Sequence, residues 1–188
     1  PLCRKSTKDG PNILIFNGQS VKIRAETETW AEGLELLTER MGEMNICSEA
    51  VIDSIRQGVS NIPPESGGIL GGRNDVVTNI CLDKGILGKH PCSYTPDTRF
   101  LNQKINQWAE TGIQFMGMFH VHFGGTESLS EGDKEYIVRI MEVMPKKIGC
   151  LYFPVVVMPE RKVVAYKAVR NNEKVVIKRD CIKCQGGT

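Results

Sequence analysis

Two residue types in one short stretch of this chain could hold a metal ion. His120 and His122 flank Val121 in Gly117-Met118-Phe119-His120-Val121-His122. On an extended strand, residues i and i+2 face the same way, so the two imidazoles project together. Each can bind a cation at about 2.0–2.1 Å. The chain then passes Gly124-Gly125 and enters a helix. Ser128-x-x-Glu131 can form a capping box there, and Ser130 can serve equally as N-cap. Either way, Asp133 falls in the first turn, from which its carboxylate can swing back as a third ligand. Three protein ligands leave one tetrahedral corner for water, the layout of a catalytic rather than a structural zinc site. Such an ion polarises carbonyls and acidifies its water. That chemistry also needs a base. Glu65 is the candidate, in Pro63-Pro64-Glu65-Ser66-Gly67-Gly68-Ile69-Leu70-Gly71-Gly72. It precedes a Gly-rich strand where a second backbone can approach closely, and it could take the proton of the water and pass it to a departing amine.

These residues need a scaffold, and the apolar spacing supplies one. Ser48 can cap a helix carrying Val51, Ile52, Ile55 and Val59, which must stop before Pro63-Pro64. Gly67 to Gly72 and Val76 to Leu82 read as strands joined by a turn at Asn74-Asp75. Gly85 to Arg99 reads as a loop. Phe100, Ile105 and Trp108 recur on a helix closed by Gly112, and Ile113 to Phe119 reads as a buried strand. A helix follows from Glu131 to Met144. Lys147 to Val157, Lys162 to Val169 and Lys174 to Arg179 read as strands, with turns at Glu160-Arg161 and Asn171-Asn172. Upstream, Asn17-Gly18 between apolar runs signals a hairpin, and Trp30, Leu34, Leu37 and Met41 recur on a helix over Thr29 to Glu43. Residues 1 to about 12 read as a tail. The order of elements predicts an α/β fold, a mixed sheet with helices packed on it. The divisions expected are residues 1–45, an extension of tail, hairpin and helix; 46–170, the main domain; and 171–188, a C-terminal strand and basic tail.

Composition narrows the class. The chain has 188 residues, 40% hydrophobic and 24% charged, which is ordinary for a globular protein with one core. The longest apolar run, Cys150 to Pro159, is too short for a spanning helix, so no membrane span is expected. With 24 Lys+Arg against 22 Asp+Glu, the net charge of +2 gives no basis for nucleic-acid binding. The charges are uneven, with eight Lys or Arg against three Asp or Glu from Glu160 to Thr188. They form solvated faces or docking faces. Seven scattered cysteines and no evident leader point to free thiols in a reducing cytoplasm. Cys181-Ile-Lys-Cys184 is one Cys-x-x-Cys pair, half of a structural zinc site, or two free thiols in a tail. His90 reads as a surface-loop histidine. Gln185-Gly186-Gly187-Thr188 reads as a frayed end, with self-processing as the sharper alternative.

His120-x-His122, seven residues, Ser130-x-x-Asp133, and Glu65 upstream in Glu-Ser-Gly-Gly-Ile-Leu-Gly-Gly together resemble the motif of the JAMM metallopeptidases, also called MPN or JAB domains. The resemblance runs from about Asn45 to Val169 and looks closest to the prokaryotic JAB branch. It implies a cytidine-deaminase-like α/β fold and one catalytic zinc held by His120, His122 and Asp133. It makes Glu65 the acid/base and Ser130 the residue that steadies the oxyanion. Val121 departs from the Ser or Thr common between the histidines; its side chain should point away from the metal. The implied reaction is hydrolysis of the amide after the C-terminal Gly-Gly of ubiquitin or a ubiquitin-like protein. The implied partners are that protein or its conjugate, and homologues of ubiquitin-activating and ubiquitin-conjugating enzymes, as in anti-phage defence systems. Gly85 to Arg99 would wall the substrate groove. The alternatives are a peptidase for a sulfur-carrier adduct or small peptide, and a non-catalytic MPN interaction module.

Overall fold

Strand and helix signals alternate along the chain, and the computed structural model turns them into one large sheet with helices on both faces. It describes residues 43–46, 48–86, 93–172 and 174–185. The expected N-terminal tail, hairpin and helix, together with His90 and Gly186 to Thr188, lie outside the described residues. The elements are β1 (Met44–Ile46), α1 (Glu49–Gly58), β2 (Gly67–Arg73), β3 (Val76–Asp83), α2 (Thr98–Glu110), β4 (Gln114–His122), α3 (Glu131–Val143), β5 (Cys150–Tyr152), β6 (Val155–Val157), β7 (Lys162–Asn171), β8 (Lys174–Asp180) and β9 (Ile182–Cys184). The strand order is β5-β7-β6-β4-β2-β3-β1-β9, with β8 on β7. The sheet is mixed: β4 runs antiparallel to β2 and parallel to β6, and β1 runs parallel to β3 and β9. It curls until its ends are joined by one stretch of chain, β8 on β7 and, past Cys181, β9 on β1.

Side chains alternate across β4, and each set has its own apolar layer. Met118 packs with Leu101, Ile105 and Trp108 of α2 and Ile137, Ile140 and Met141 of α3. Phe119 and Val121 pack with Ile52 and Ile55 of α1 and with Met44 and Ile46. The glycines of β2 are required by close approach. A Cβ on Gly67 would sit 2.2 Å from the Phe119 carbonyl oxygen, and one on Gly68 would sit 2.2 Å from that of Cys81. Strands β2 and β3 meet at Asn74-Asp75, both at positive φ (51° and 60°), the backbone of a type I′ turn. Each helix C-terminus is closed by an arginine from elsewhere. Arg161 donates to Arg56 O, Arg73 to Thr111 O, and Arg170 to Met141 O. These guanidinium groups satisfy carbonyls that a helix end leaves without partners.

Several details differ from the sequence reading, among them the short strand β1, which it did not include. The strand expected over Lys147 to Val157 is two short ones, β5 and β6, interrupted at Phe153-Pro154, because proline lacks the N–H a ladder needs. Phe100 is 42% exposed, and Leu101 takes the core position. Residues Ile182 to Cys184 form β9 rather than a tail.

Candidate metal centre

The histidines end β4, where it lies between β2 and β6. Gly67 pairs with His120, and Val155 and Val157 pair with His120 and His122. Both rings therefore lie on the Met118 face, and Val121 is fully buried on the other. The His120 and His122 Nε2 atoms are 2.8 Å apart. Asp133 Oδ1 is 3.5 Å from His120 Nε2, and Oδ2 is 3.4 Å from His122 Nε2. Donors at about 2.0–2.1 Å from a tetrahedral ion are about 3.3 Å apart. The two nitrogen–oxygen separations match that figure, and the nitrogen pair is about half an ångström inside it. The ligand atoms of all three residues lie within 4.8 Å of one another. Two imidazoles and a carboxylate form a donor set suited to zinc, so the residues present fit that ion.

The surroundings fix the orientation of His122 and Asp133. His122 Nδ1 lies 3.1 Å from the Thr126 carbonyl oxygen. A carbonyl only accepts, so Nδ1 carries the hydrogen; the protonated ring also donates from Nε2 to Asp133, and the neutral ring leaves its Nε2 lone pair for a cation. The loop bearing Thr126 is tied down in turn. Tyr166 Oη donates to Glu127 O at 3.1 Å, Arg179 meets the Glu127 carboxylate at 2.7 Å, and Lys162 also pairs with it. Asp133 is the N3 residue of α3 and closes a capping box with Ser130. Its Oδ2 accepts from Ser130 N–H and from Ser130 Oγ–H, each at 2.7 Å, and its own N–H donates to Ser130 Oγ at 3.2 Å. Burial opposes ionisation of Asp133, but hydrogen bonds from both histidines and from Ser130 outweigh it, and the carboxyl is held well below the usual carboxylate range. For His122, burial disfavours the charged ring, whereas Asp133 and the Thr126 carbonyl favour it more; the pKa is raised from 6.5.

Glu65, His120, Ser130 and Asp133 line one cleft of about 310 Å³. Ser93 to Pro96 form part of its wall. Glu65 Oε2 accepts from Tyr94 N–H at 3.2 Å. Burial raises the Glu65 pKa, and the nearby imidazoles pull it back without cancelling the rise. A carboxylate so placed can accept a proton and release it again.

Two further residues shape the cleft and carried no signal in the sequence. Asp83, 7% exposed at the end of β3, accepts from Tyr94 Oη–H at 2.7 Å, Asp97 N–H at 2.9 Å and Gly85 N–H at 2.9 Å. It thereby holds the segment that presents Tyr94 to Glu65. Tyr136, one helical turn after Asp133, lines the same cleft. Among the described residues, Cys181 and Cys184 belong to no group of three or more metal-ligating side chains; Cys184 ends β9 and its Sγ lies 3.6 Å from Glu49 Oε2.

No protein-family model matches the chain, and no curated protein matches it. Among solved structures it is similar to the solution structure of protein DSY2949 from Desulfitobacterium hafniense, at 19% identity and a TM-score of 0.52, over 77% of this chain and 94% of that one. It is more loosely similar to the crystal structure of AF2198, a JAB1/MPN domain protein from Archaeoglobus fulgidus, at 19% identity and a TM-score of 0.42, over 74% and 96%. At that identity the first likeness is one of fold. Among the described residues, no helix is long and apolar enough to cross a membrane.

Proposed function

We propose that this protein is a zinc-dependent metallopeptidase of the JAMM type, hydrolysing the amide bond after the C-terminal Gly-Gly of a ubiquitin-like protein. The observation that carries the reading is the convergence of His120, His122 and Asp133 beside a cleft lined by His120, Asp133 and Glu65. The motif resemblance supplies the substrate class. Bound by the triad, zinc would supply Lewis-acid polarisation of the scissile carbonyl and a water that ionises near neutral pH.

The chain's own residues do the rest. Tyr94 N–H holds Glu65 Oε2 and leaves Oε1 free to exchange a proton. Glu65 takes the proton of the attacking water and returns it to the leaving amine. Its raised pKa keeps the protonated form an attainable state rather than a strained one. Ser130 holds Asp133 in the ligating position. Its single hydroxyl proton points at Asp133 Oδ2, so it must turn toward the substrate oxygen to steady the charge that develops there.

The test is Glu65→Gln beside His120→Ala, with zinc content and cleavage of ubiquitin-like fusions both measured. Glu65→Gln should keep one zinc per chain and lose hydrolysis by about 10²- to 10⁴-fold, the usual contribution of a general base. His120→Ala should lose both. Cleavage by Glu65→Gln at the parental rate would remove Glu65 from the mechanism. A folded protein that takes up no zinc would remove the peptidase.

A further inference from the structure

His122 is oriented by a carbonyl on a loop that has little of its own to hold it still. His122 Nδ1 meets Thr126 O at 3.1 Å. Between the two residues stand Gly124 and Gly125, both at φ +72°, and a Cβ on either would meet nothing within 4 Å among the described residues. Glycines in such a run do little to restrain the backbone. Thr126 is itself exposed. The loop therefore takes its anchors from outside. On the near side, Gly125 N–H donates to Met158 O at 3.0 Å, and Met158 N–H donates to His122 O at 2.8 Å. On the far side, three contacts converge on Glu127. Its carbonyl accepts from Tyr166 Oη–H at 3.1 Å, and its carboxylate receives Arg179 on one oxygen, at 2.7 Å, and Lys162 on the other. These donors come from one pair of strands. Lys162 and Tyr166 are four residues apart on β7 and share a face, and Arg179 of β8 lies directly opposite Tyr166.

We infer that Glu127 is a positioning residue for the metal centre: clamped to β7 and β8, it fixes the Thr126 carbonyl and through it the His122 ring. The role rests on the metallopeptidase reading above. Its magnitude sets it apart from a stabilising one. The side chains of Glu127, Lys162 and Arg179 are 34%, 56% and 58% exposed. Ion pairs so exposed add little to the stability of a fold. A metal ligand is more demanding. A shift of about half an ångström degrades a site, and loss of the group that orients a ligating histidine typically costs about 10- to 100-fold in metal affinity. Glu127 stands one residue beyond that group, and Met158 still holds the near side of the loop, so the effect belongs at the low end of that range.

The test is zinc affinity, measured by competition with a chelator, in the full-length chain and in two variants that undo the clamp from opposite sides. Glu127→Gln removes the anion, and the double variant Lys162→Gln/Arg179→Gln removes the cations. Each should bind zinc about tenfold more weakly than the parent. Charge acting through space predicts otherwise, because loss of an anion would weaken the binding of a cation and loss of two cations would strengthen it. In the zinc-loaded chains, the His122 Nδ1–H resonance should be sharp in the parent and lost to exchange with water in both variants. Melting temperatures of the metal-free chains should differ by less than about 2 °C. Unchanged or tighter zinc binding by the double variant overturns the role, and so does an unaltered His122 resonance. A larger fall in melting temperature overturns it too, since Glu127 would then serve the fold. If the parent binds zinc and cleaves a Gly-Gly fusion while both variants bind as tightly, the peptidase stands and the role of Glu127 alone fails. If the parent takes up no zinc, both fail together.

Discussion

Asp83 offers the sharpest test of how the cleft is held open. Its carboxylate is 7% exposed and accepts three hydrogen bonds, from Gly85 N–H, Tyr94 Oη–H and Asp97 N–H. Hydrogen bonds to a charged acceptor are worth about 1.5–3 kcal/mol each. Asp83→Asn keeps the shape. Tyr94 and Asp97 both use Oδ2, so an amide that keeps its oxygen there turns its NH₂ toward Gly85 N–H. One bond becomes a donor facing a donor, and the other two lose the charge. The expected loss is about 2–3 kcal/mol. Tyr94→Phe removes one bond and leaves Asp83 two partners, for an expected loss of about 2 kcal/mol. Local opening around Tyr94 and Asp97 can hand these donors to water, which caps the global cost. Two measurements are therefore needed. Urea unfolding should show a lower midpoint with an unchanged slope. Amide hydrogen exchange should quicken at Ile86, whose N–H bonds to Thr95 O at 2.8 Å, and at Tyr94 and Asp97, and not at β2 or β4. A midpoint shift under about 0.5 kcal/mol, together with unchanged exchange at Tyr94, would refute the claim that Asp83 organises this wall, since only surface substitutions usually cost so little.

The remaining predictions use other parts of the fold. In metal-free protein, Asp133 is depressed in the folded state, so its contribution to stability is present above its ordinary value of 3.8 and is lost as pH falls through the folded value. His122 is raised, so its contribution is full below 6.5 and is lost as pH rises through the folded value. Zinc needs neutral imidazole, so metal stabilisation grows over that same rise. Melting temperatures measured from pH 6 to 8 should therefore fall without zinc and rise with it, and parallel curves would contradict the assignment. Gly68→Ala drives a Cβ to 2.2 Å from Cys81 O and 2.7 Å from the Phe119 ring and should cost about 2–3 kcal/mol, whereas Gly132→Ala should stabilise α3 by about 0.5–1 kcal/mol. Calorimetry on the pair decides whether opposite signs occur. Arg170→Met removes the donor to Met141 O and Met144 O and should cost about 1–2 kcal/mol, read as a lower urea midpoint.

Much of the centre was legible because local geometry dictates it. The i, i+2 rule puts two imidazoles on one face of any strand, and the first turn of a following helix lies within a few residues of that strand's end, so His120, His122 and Asp133 could be grouped before any fold was known. Ser130 was legible as a cap but not as the residue that grips Asp133 rather than Glu131, since Ser128-x-x-Glu131 fits the same rule. Asp83 and Tyr136 were not legible. Each acts across a contact between elements far apart in the chain, and neither residue type at its position differs from an ordinary strand end or helix face. β1 and β9 were missed for a related reason. Three-residue strands carry too few side chains to show a period, and both exist because the curled sheet offers them an edge. The division at Phe153-Pro154 had a visible cause, the missing N–H of proline, but the apolar run around it concealed the break.

The serine that starts α3 ties the folding of the helix to the geometry of the candidate metal ligands. In an ordinary capping box the N3 carboxylate serves only the helix, taking up the N-cap N–H. Here the same Asp133 carboxylate takes up Ser130 N–H and Oγ–H and also faces both imidazoles. The positive end of the helix dipole favours the same ionised form that a cation requires. Forming the helix therefore sets the carboxylate at the strand end in its charged state, with its rotamer already chosen. The rotational entropy of that ligand is lost on folding, not on binding metal, which is the condition for a site in which small displacements matter. The same economy constrains what Ser130 can do. With one proton directed at Asp133, it can serve a substrate oxygen only by loosening its hold on the ligand, so any part it takes in turnover is coupled to the coordination it maintains.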